Sequence, residues 1–253
     1  MQIVFVGGGN MATALIGGML RQGFAADEIS VMEPDAAKRD QLQQEFGVKT
    51  LASVPSGSRF DVVLLAVKPQ QMKAVAQEWA GVAAQALVIS IAAGIRTDSL
   101  SGWLGGHQRI VRVMPNTPAL VQAGVSGLFA DASVPASDRA AADKVLRAVG
   151  EVVWVDTEAK IDAVTAISGS GPAYVFYFIE SLMQAGTELG FSAEQARQLA
   201  YGTFDGAVKL ALDSQDDAAT LRTKVTSKGG TTERALAAFG GGIDERVTFT
   251  NHA

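Results

Sequence analysis

Short apolar runs alternate with helix-period segments along the first 155 residues. Residues 2–6 form one such run and predict a buried strand. Met11, Ala14, Leu15, Met19 and Leu20 then recur at helical spacing over residues 10–22, with Gly23 where a helix stops. Residues 29–32 predict a second strand, and residues 35–46 a helix with Asp35 as N-cap and Gly47 beyond its end. Residues 62–66 are uniformly apolar, as in a strand covered on both faces. A helix over 69–79 follows, with Pro69 in its first turn. Further strands at 87–91 and 110–113 flank a helix at 97–104, and edge strands at 125–130 and 152–155 flank a helix at 136–149. This alternation predicts an α/β domain whose doubly wound parallel sheet has right-handed crossovers.

The pattern changes after Asp156. Residues 159–167, 172–189, 193–212 and 217–225 all show helical periodicity, with Gly190 as a stop. A boundary near 156 therefore divides an α/β domain (1–156) from a smaller all-α domain (157–253). Val175, Phe176, Phe178, Ile179, Leu182 and Met183 make the second of these helices apolar around much of its circumference. So small a helical domain offers little to bury such a helix, which points to a second copy of the chain as its cover.

Composition narrows the function. Apolar residues are 48% of the chain, which excludes global disorder. The net charge of −5 gives no basic footprint for nucleic acid. The absence of cysteine excludes disulfide scaffolds, thiol catalysis and cysteine-ligated metals, and fits a reducing compartment. The start of the chain lacks the charged flank of a signal peptide, and no apolar run approaches the ~20 residues of a membrane span. A cytoplasmic protein without membrane attachment is expected. Glycine, at 27 of 253 residues, exceeds the usual ~7%, as in folds where backbone lies against a nucleotide.

Residues 7–12, GGGNMA, stand between the first strand and the first helix and fit the dinucleotide fingerprint G-x-G-x-x-A. Gly7 permits the tight turn, Gly9 lets backbone approach a pyrophosphate, and Asn10 and Met11 open the helix whose amides face the phosphates. Gly17 and Gly18 are read as packing positions against the sheet. Glu33 closes the second strand, where an acid accepts hydrogen bonds from the adenosine ribose; a solvated loop acid is the competing reading. Lys38 and Arg39 stand near enough to meet a 2′-phosphate, or form a solvated helix face. Three further loops end parallel strands, where such sheets bind ligands: Ala66, Val67, Lys68 and Pro69; Ala92 and Ala93; and MPNTP (114–118), whose prolines present Asn116. SGSGPAY (168–174), with Ser170, opens the first long helix of the second domain. TSKGGTT (226–232) sets consecutive hydroxyls and glycines before the last helix, an anion and hydrogen-bond cradle. The two histidines, His107 and His252, sit in no acid–base motif, and no clustered pattern supports a metal.

Together GGGNMA, AVKPQ (66–70), SIAAG (90–94), VRVMPNTPALV (111–121), SGSGPAYVFYFIE (168–180) and TSKGGTT run in order from residue 7 to residue 232. Jointly they resemble the pyrroline-5-carboxylate reductase family. The resemblance implies a Rossmann domain followed by an all-α dimerisation domain, in interlocked homodimers that sometimes assemble further. It implies hydride transfer from NADPH, or NADH, to the C=N carbon of 1-pyrroline-5-carboxylate, giving L-proline. By the same resemblance Thr232 hydrogen-bonds the ring nitrogen as the catalytic residue. Ser227, Gly229, Gly230 and Thr231, with Ser170, hold the substrate, and the remaining motifs line the cofactor.

Three positions depart from the family pattern. Lys228 stands where proline is usual. Glu33 stands where a 2′-phosphate contact is often found, so both cofactors are expected to work, with a narrowed NADPH preference that Glu33→Ser widens. After Phe239 the chain continues with three glycines and a short polar tail in place of a closing helix, which is expected to weaken the dimer. Two competing readings are a Rossmann-type β-hydroxyacid dehydrogenase and a non-catalytic NAD(P)-binding regulatory protein. For the first, Lys160, Lys209 and Lys224 fall in no matching motif.

Overall fold

A computed structural model describes residues 1–54 and 57–243. The chain divides into two compact units, Met1–Pro172 and the segment from Ala173 onward.

The first unit is built on one eight-stranded sheet. Its elements, in chain order, are β1 (Ile3–Val6), α1 (Asn10–Arg21), β2 (Ile29–Met32), α2 (Ala36–Phe46), β3 (Lys49–Leu51), β4 (Val62–Leu65), α3 (Pro69–Ala83), β5 (Leu87–Ser90), α4 (Thr97–Trp103), β6 (Ile110–Met114), β7 (Gly124–Ala130), α5 (Ala136–Arg147), β8 (Gly150–Trp154) and α6 (Ala159–Val164). The strands lie in the order β3-β2-β1-β4-β5-β6-β7-β8. Order reverses at β1, between β2 and β4, and the crevice at the carboxyl ends of β1 and β4 is where such sheets take ligands.

The period of two along each strand explains the two cores. Ile3 and Phe5 point to one face and join Leu15, Ile16 and Met19 of α1 with Val145 and Leu146 of α5. Val4 and Val6 point to the other and pack with Met72, Ala76 and the fully buried Trp79 of α3 and Leu100 of α4. Local signals hold where chemistry is specific. The Asp35 carboxylate caps α2 by accepting from the amides of Ala37 and Lys38, and Gly47 closes the helix in the left-handed region.

The structure differs from the sequence expectation in four respects. β3 is only three residues long and half exposed, so no apolar run announces it. β7 pairs antiparallel with β6, because the connection over residues 115–123 holds only a five-residue 3-10 turn, Thr117–Val121, and no crossover α-helix. Gly18 packs not on the sheet but on the α5–β8 junction, where a Cβ would lie 2.3 Å from the Ala148 carbonyl oxygen; Gly17 faces Phe46. The compact unit also extends past 156. α6 packs against β6 and β7, Ile161 is buried, and Val164 presses on Gly127. A π-helical turn at Thr165–Gly169 continues α6.

The second unit is helical: α7 (Gly171–Glu188, whose first two residues belong to the first unit), α8 (Ala193–Asp213), α9 (Ala218–Lys224) and α10 (Thr231–Ile243). Ser192 and Gln195 form a reciprocal capping box at the start of α8. Gly186 lets α7 approach Ala196 of α8. The α10 backbone runs on through the three glycines expected to end it; the tail from 244 to 253, with His252, lies outside the described residues. Large apolar side chains of α7 and α8 stand exposed, among them Phe176 at 60%, Tyr177 at 68% and Leu212 at 82%.

Candidate active site

β1 ends in Gly7, whose φ is +102° and where a Cβ would lie 2.9 Å from the Ala66 carbonyl oxygen, so only glycine fits. Its N–H donates to the Met32 carbonyl at 2.8 Å, drawing the ends of β1 and β2 together. Gly9, the N-cap of α1, is exposed, and a Cβ there would meet nothing within 4 Å. The protein's own packing does not require a glycine at 9, and its absent side chain leaves the backbone open to close approach by a ligand. No side chain caps α1, and the N–H groups of Asn10, Met11 and Ala12 have no partner among the described residues. Three free amides and the positive end of the helix dipole therefore face the mouth of the crevice, and they suit a pyrophosphate. A cleft of about 370 Å³ opens there, lined by the three glycines, Glu33, Pro34, Lys38, Ala66, Val67 and Lys68 among others. The Met11 side chain packs on the core beneath.

Glu33 is neither a solvated acid nor a free one. It is 7% exposed, and its Oε2 accepts the Gly8 N–H at 3.0 Å while Oε1 accepts the Asp35 N–H at 3.1 Å. Arg39 turns back on the strand end, donating to the Glu33 carbonyl at 2.7 Å and the Pro34 carbonyl at 2.8 Å. The Lys38 side chain is exposed, and its ammonium has no hydrogen-bond or ion-pair partner among the described residues.

The loops after β4, β5 and β6 end at the same edge of the sheet. Lys68 and Pro69 start α3, exposed; Ala92 is buried and Ala93 exposed. Asn116 is turned inward rather than presented. It is 8% exposed, its Oδ1 accepts the Val125 N–H at 2.8 Å, and its Nδ2 donates to the Ser168 carbonyl at 3.0 Å. Both ends of the amide are committed to holding the loop to the π-helical turn. Ser170 follows that turn, its N–H bonded to the Thr165 carbonyl.

In the helical unit, residues 226–232 lead into α10. Three of its amides are already engaged: Thr226 donates to the Thr223 carbonyl at 3.0 Å, Gly229 to Glu233 Oε2 at 2.6 Å, and Gly230 to the Ser227 carbonyl at 3.0 Å. The amides of Thr231 and Thr232 and the half-buried Thr232 hydroxyl have no partner among the described residues. Among these residues no cluster of three or more His, Asp or Glu forms a metal site, and burial lowers the His107 pKa, leaving a neutral imidazole at pH 7.

A family model described as pyrroline-5-carboxylate reductase dimerisation matches residues 158–247, and one described as NADP oxidoreductase, coenzyme F420-dependent, matches residues 2–94. The pyrroline-5-carboxylate reductase of Pseudomonas aeruginosa is 47% identical over 240 residues, 94% of this chain and 88% of the relative. That of Pasteurella multocida is 46% identical over 241 residues, 92% of this chain and 87% of the relative. The chain belongs to the pyrroline-5-carboxylate reductase family. A solved structure of the Coxiella burnetii reductase superposes with a TM-score of 0.90 at 41% identity, over 96% of this chain and 92% of that one. The Plasmodium falciparum enzyme, solved with NADP bound, gives 0.86 at 28% identity, over 97% and 91%.

As a member of the pyrroline-5-carboxylate reductase family the chain is an oxidoreductase using NAD(P), with a Rossmann-type domain and a helical dimerisation domain, and it forms homo-oligomers. No helix among the described residues is long and apolar enough to cross a membrane. The structure brings Gly7, Gly9, Glu33, Ala66, Val67 and Lys68 to one cleft, and Gly9 and Asn10 to an adjoining one. Sequence reasoning missed Gly8 as the partner of Glu33, because nothing local connects residues 25 apart. It also missed Arg112, 2% exposed, which binds Glu158 at 3.2 Å and Asp162 at 2.9 Å. Here a signal was available: a cation inside the apolar strand VRVM must find acids.

Proposed function

We propose that the chain reduces 1-pyrroline-5-carboxylate to L-proline, the last step of proline biosynthesis, in the cytoplasm and as a homodimer. The observation that carries the reading is the uncapped glycine turn at the sheet's switch point, with Gly9 open to a ligand, in a chain of this family. The nicotinamide cofactor supplies a hydride to the C=N carbon, and a proton adds to the ring nitrogen. In this reading residues 1–156 hold the dinucleotide, and residues 157–253 dimerise and hold the substrate.

The roles within the protein follow from which groups are free. The Thr232 hydroxyl, unpartnered among the described residues, is assigned to the ring nitrogen, where a hydrogen bond favours the charge developing as hydride arrives. The substrate carboxylate falls to the amides of Thr231 and Thr232 and to the hydroxyls of Ser227 and Thr231, with Ser170. Gly229 and Gly230 shape the turn, since their own amides are engaged. Asn10 and Met11 contribute amides to the pyrophosphate. Ala66, Val67, Lys68, Pro69, Ala92 and Ala93 supply the cofactor's bed, and Asn116 acts through the loop it anchors. Oxidation of NADPH and NADH is followed with racemic pyrroline-5-carboxylate. Imine-dependent turnover is expected with both. Folded protein that turns over neither, in an assay where an authentic reductase works, refutes the proposal.

A further inference from the structure

We propose that Lys38 selects for the adenosine 2′-phosphate of the cofactor, and that Glu33 takes no part in that choice because it is a clamp on the glycine-rich turn. The inference rests on the NAD(P)-binding reading of the cleft and names what decides between the two nucleotides.

Four charged side chains stand at or beside the end of β2, where the adenosine ribose of a Rossmann-bound dinucleotide lies: Glu33, Asp35, Lys38 and Arg39. Three are already employed by the protein. Each carboxylate oxygen of Glu33 holds a backbone amide, Gly8 on one side and Asp35 on the other. Its charge is spread over two N–H donors, and its position pins the middle glycine of the turn to the strand end. Asp35 caps α2 with the amides of Ala37 and Lys38, so the first turn of that helix offers those donors to no other anion. Arg39 turns back on the strand end, with its Nη1 donating to two backbone carbonyls, so its guanidinium is held against the backbone rather than extended over the cleft. Lys38 alone of the four is without a partner among the described residues, and it lines both the cleft holding Glu33 and Pro34 and the adjoining cleft holding Gly9 and Asn10.

Lys68 lines the first cleft as well, but from the opposite wall, at the start of α3 beyond β4. It follows β4, which lies on the far side of β1 from β2, so its charge is assigned to the phosphates common to both nucleotides. A single exposed charge pair at ~4 Å is worth ~1 kcal/mol in a water-like dielectric, about fivefold in affinity. A phosphate carrying a charge of about −1.5 raises that to roughly tenfold.

The test measures calorimetric dissociation constants of 2′,5′-ADP and 5′-AMP on the intact chain, without turnover. Lys38→Gln is expected to weaken 2′,5′-ADP about five- to tenfold and 5′-AMP less than twofold, with Lys38→Arg restoring the preference. Raising salt is expected to erode the wild-type preference toward that of Lys38→Gln. Lys68→Gln and Glu33→Gln are each expected to weaken both nucleotides by a similar factor, leaving their ratio within twofold. An unchanged ratio in Lys38→Gln, or a ratio moved as far by Glu33→Gln, overturns the inference while leaving the NAD(P) reading intact. Wild-type protein that is folded yet binds neither nucleotide, nor NADP and NAD themselves, overturns both.

Discussion

The Thr232 hydroxyl is half-buried and, among the described residues, unpartnered at the start of α10, which makes it available to a ligand rather than to the fold. Thr232→Ala should therefore lower kcat/KM for the imine and leave NADPH affinity in place. One hydrogen bond to a developing charge is worth ~1.5–3 kcal/mol, roughly 10- to 150-fold in rate. Steady-state kinetics beside a cofactor titration separates the two effects, and an unchanged kcat/KM removes Thr232 from the chemistry. Asn116 presents the opposite case, with both ends of its amide bonded inside the protein. Asn116→Ala leaves the Val125 N–H and the Ser168 carbonyl without their partner. A loss of about 1–3 kcal/mol in unfolding free energy is expected from urea titration.

Among the elements, α7 and α8 set the molecule's association. Phe176, Tyr177, Phe178, Leu199, Val208, Leu210 and Leu212 are all more than 40% exposed on one chain, while Ile179, Ala196 and Ala200 are buried within it. Covering a large apolar side chain contributes ~1.5–3 kcal/mol, so these helices favour association strongly. Light scattering at micromolar concentration should give a dimer. Phe176→Glu should weaken dimerisation at least tenfold, with the helical circular dichroism signal largely retained. A wild-type monomer of full activity contradicts this interface. The run of α10 through Gly240, Gly241 and Gly242 shows that helix propensity is a weak term against the surrounding chain, since each glycine costs only ~1 kcal/mol.

Over the whole first unit, one buried cation joins distant segments. Arg112 of β6 binds Glu158 and Asp162, and Glu158 also accepts the Thr97 N–H at 2.7 Å and lies 3.4 Å from Arg96. The middle of β6, the start of α4 and the start of α6 thus share a single network, and α6 is held to the sheet although its sequence belongs to the helical half. Arg112→Met leaves the Glu158 carboxylate, 9% exposed, with Arg96 as its one counter-charge among the described residues. Breaking a buried pair costs ~3–5 kcal/mol; because Asp162 is 43% exposed and Arg96 remains, about 2–3 kcal/mol is expected here. Replacing Arg112 and Glu158 together with Met should recover part of that loss, and denaturant unfolding of the three variants checks it. Equal stability of Arg112→Met and wild type would show the network to be without energetic weight.

Short-range physics is legible along the chain. Short apolar runs specify β1, β2, β4 and β5, helical spacing specifies α1 and α3, and Asp35 and Gly47 bracket α2, because each signal acts within a few residues. The glycine turn was legible for the same reason: Gly7 needs a positive φ, and that need is local. β3 was not, because a three-residue strand is held by its neighbour's ladder rather than by its own pattern. Nor was the antiparallel turn of β7, the attachment of α6 to the sheet, the inward turn of Asn116 or the grip of Glu33 on Gly8. Each of these is a pairing of groups far apart in sequence, chosen by which buried donor found an acceptor once the sheet had closed. The residue types capable of the chemistry were determined by the sequence; which of them remain free to do it was decided only by the tertiary hydrogen bonds that employ the others.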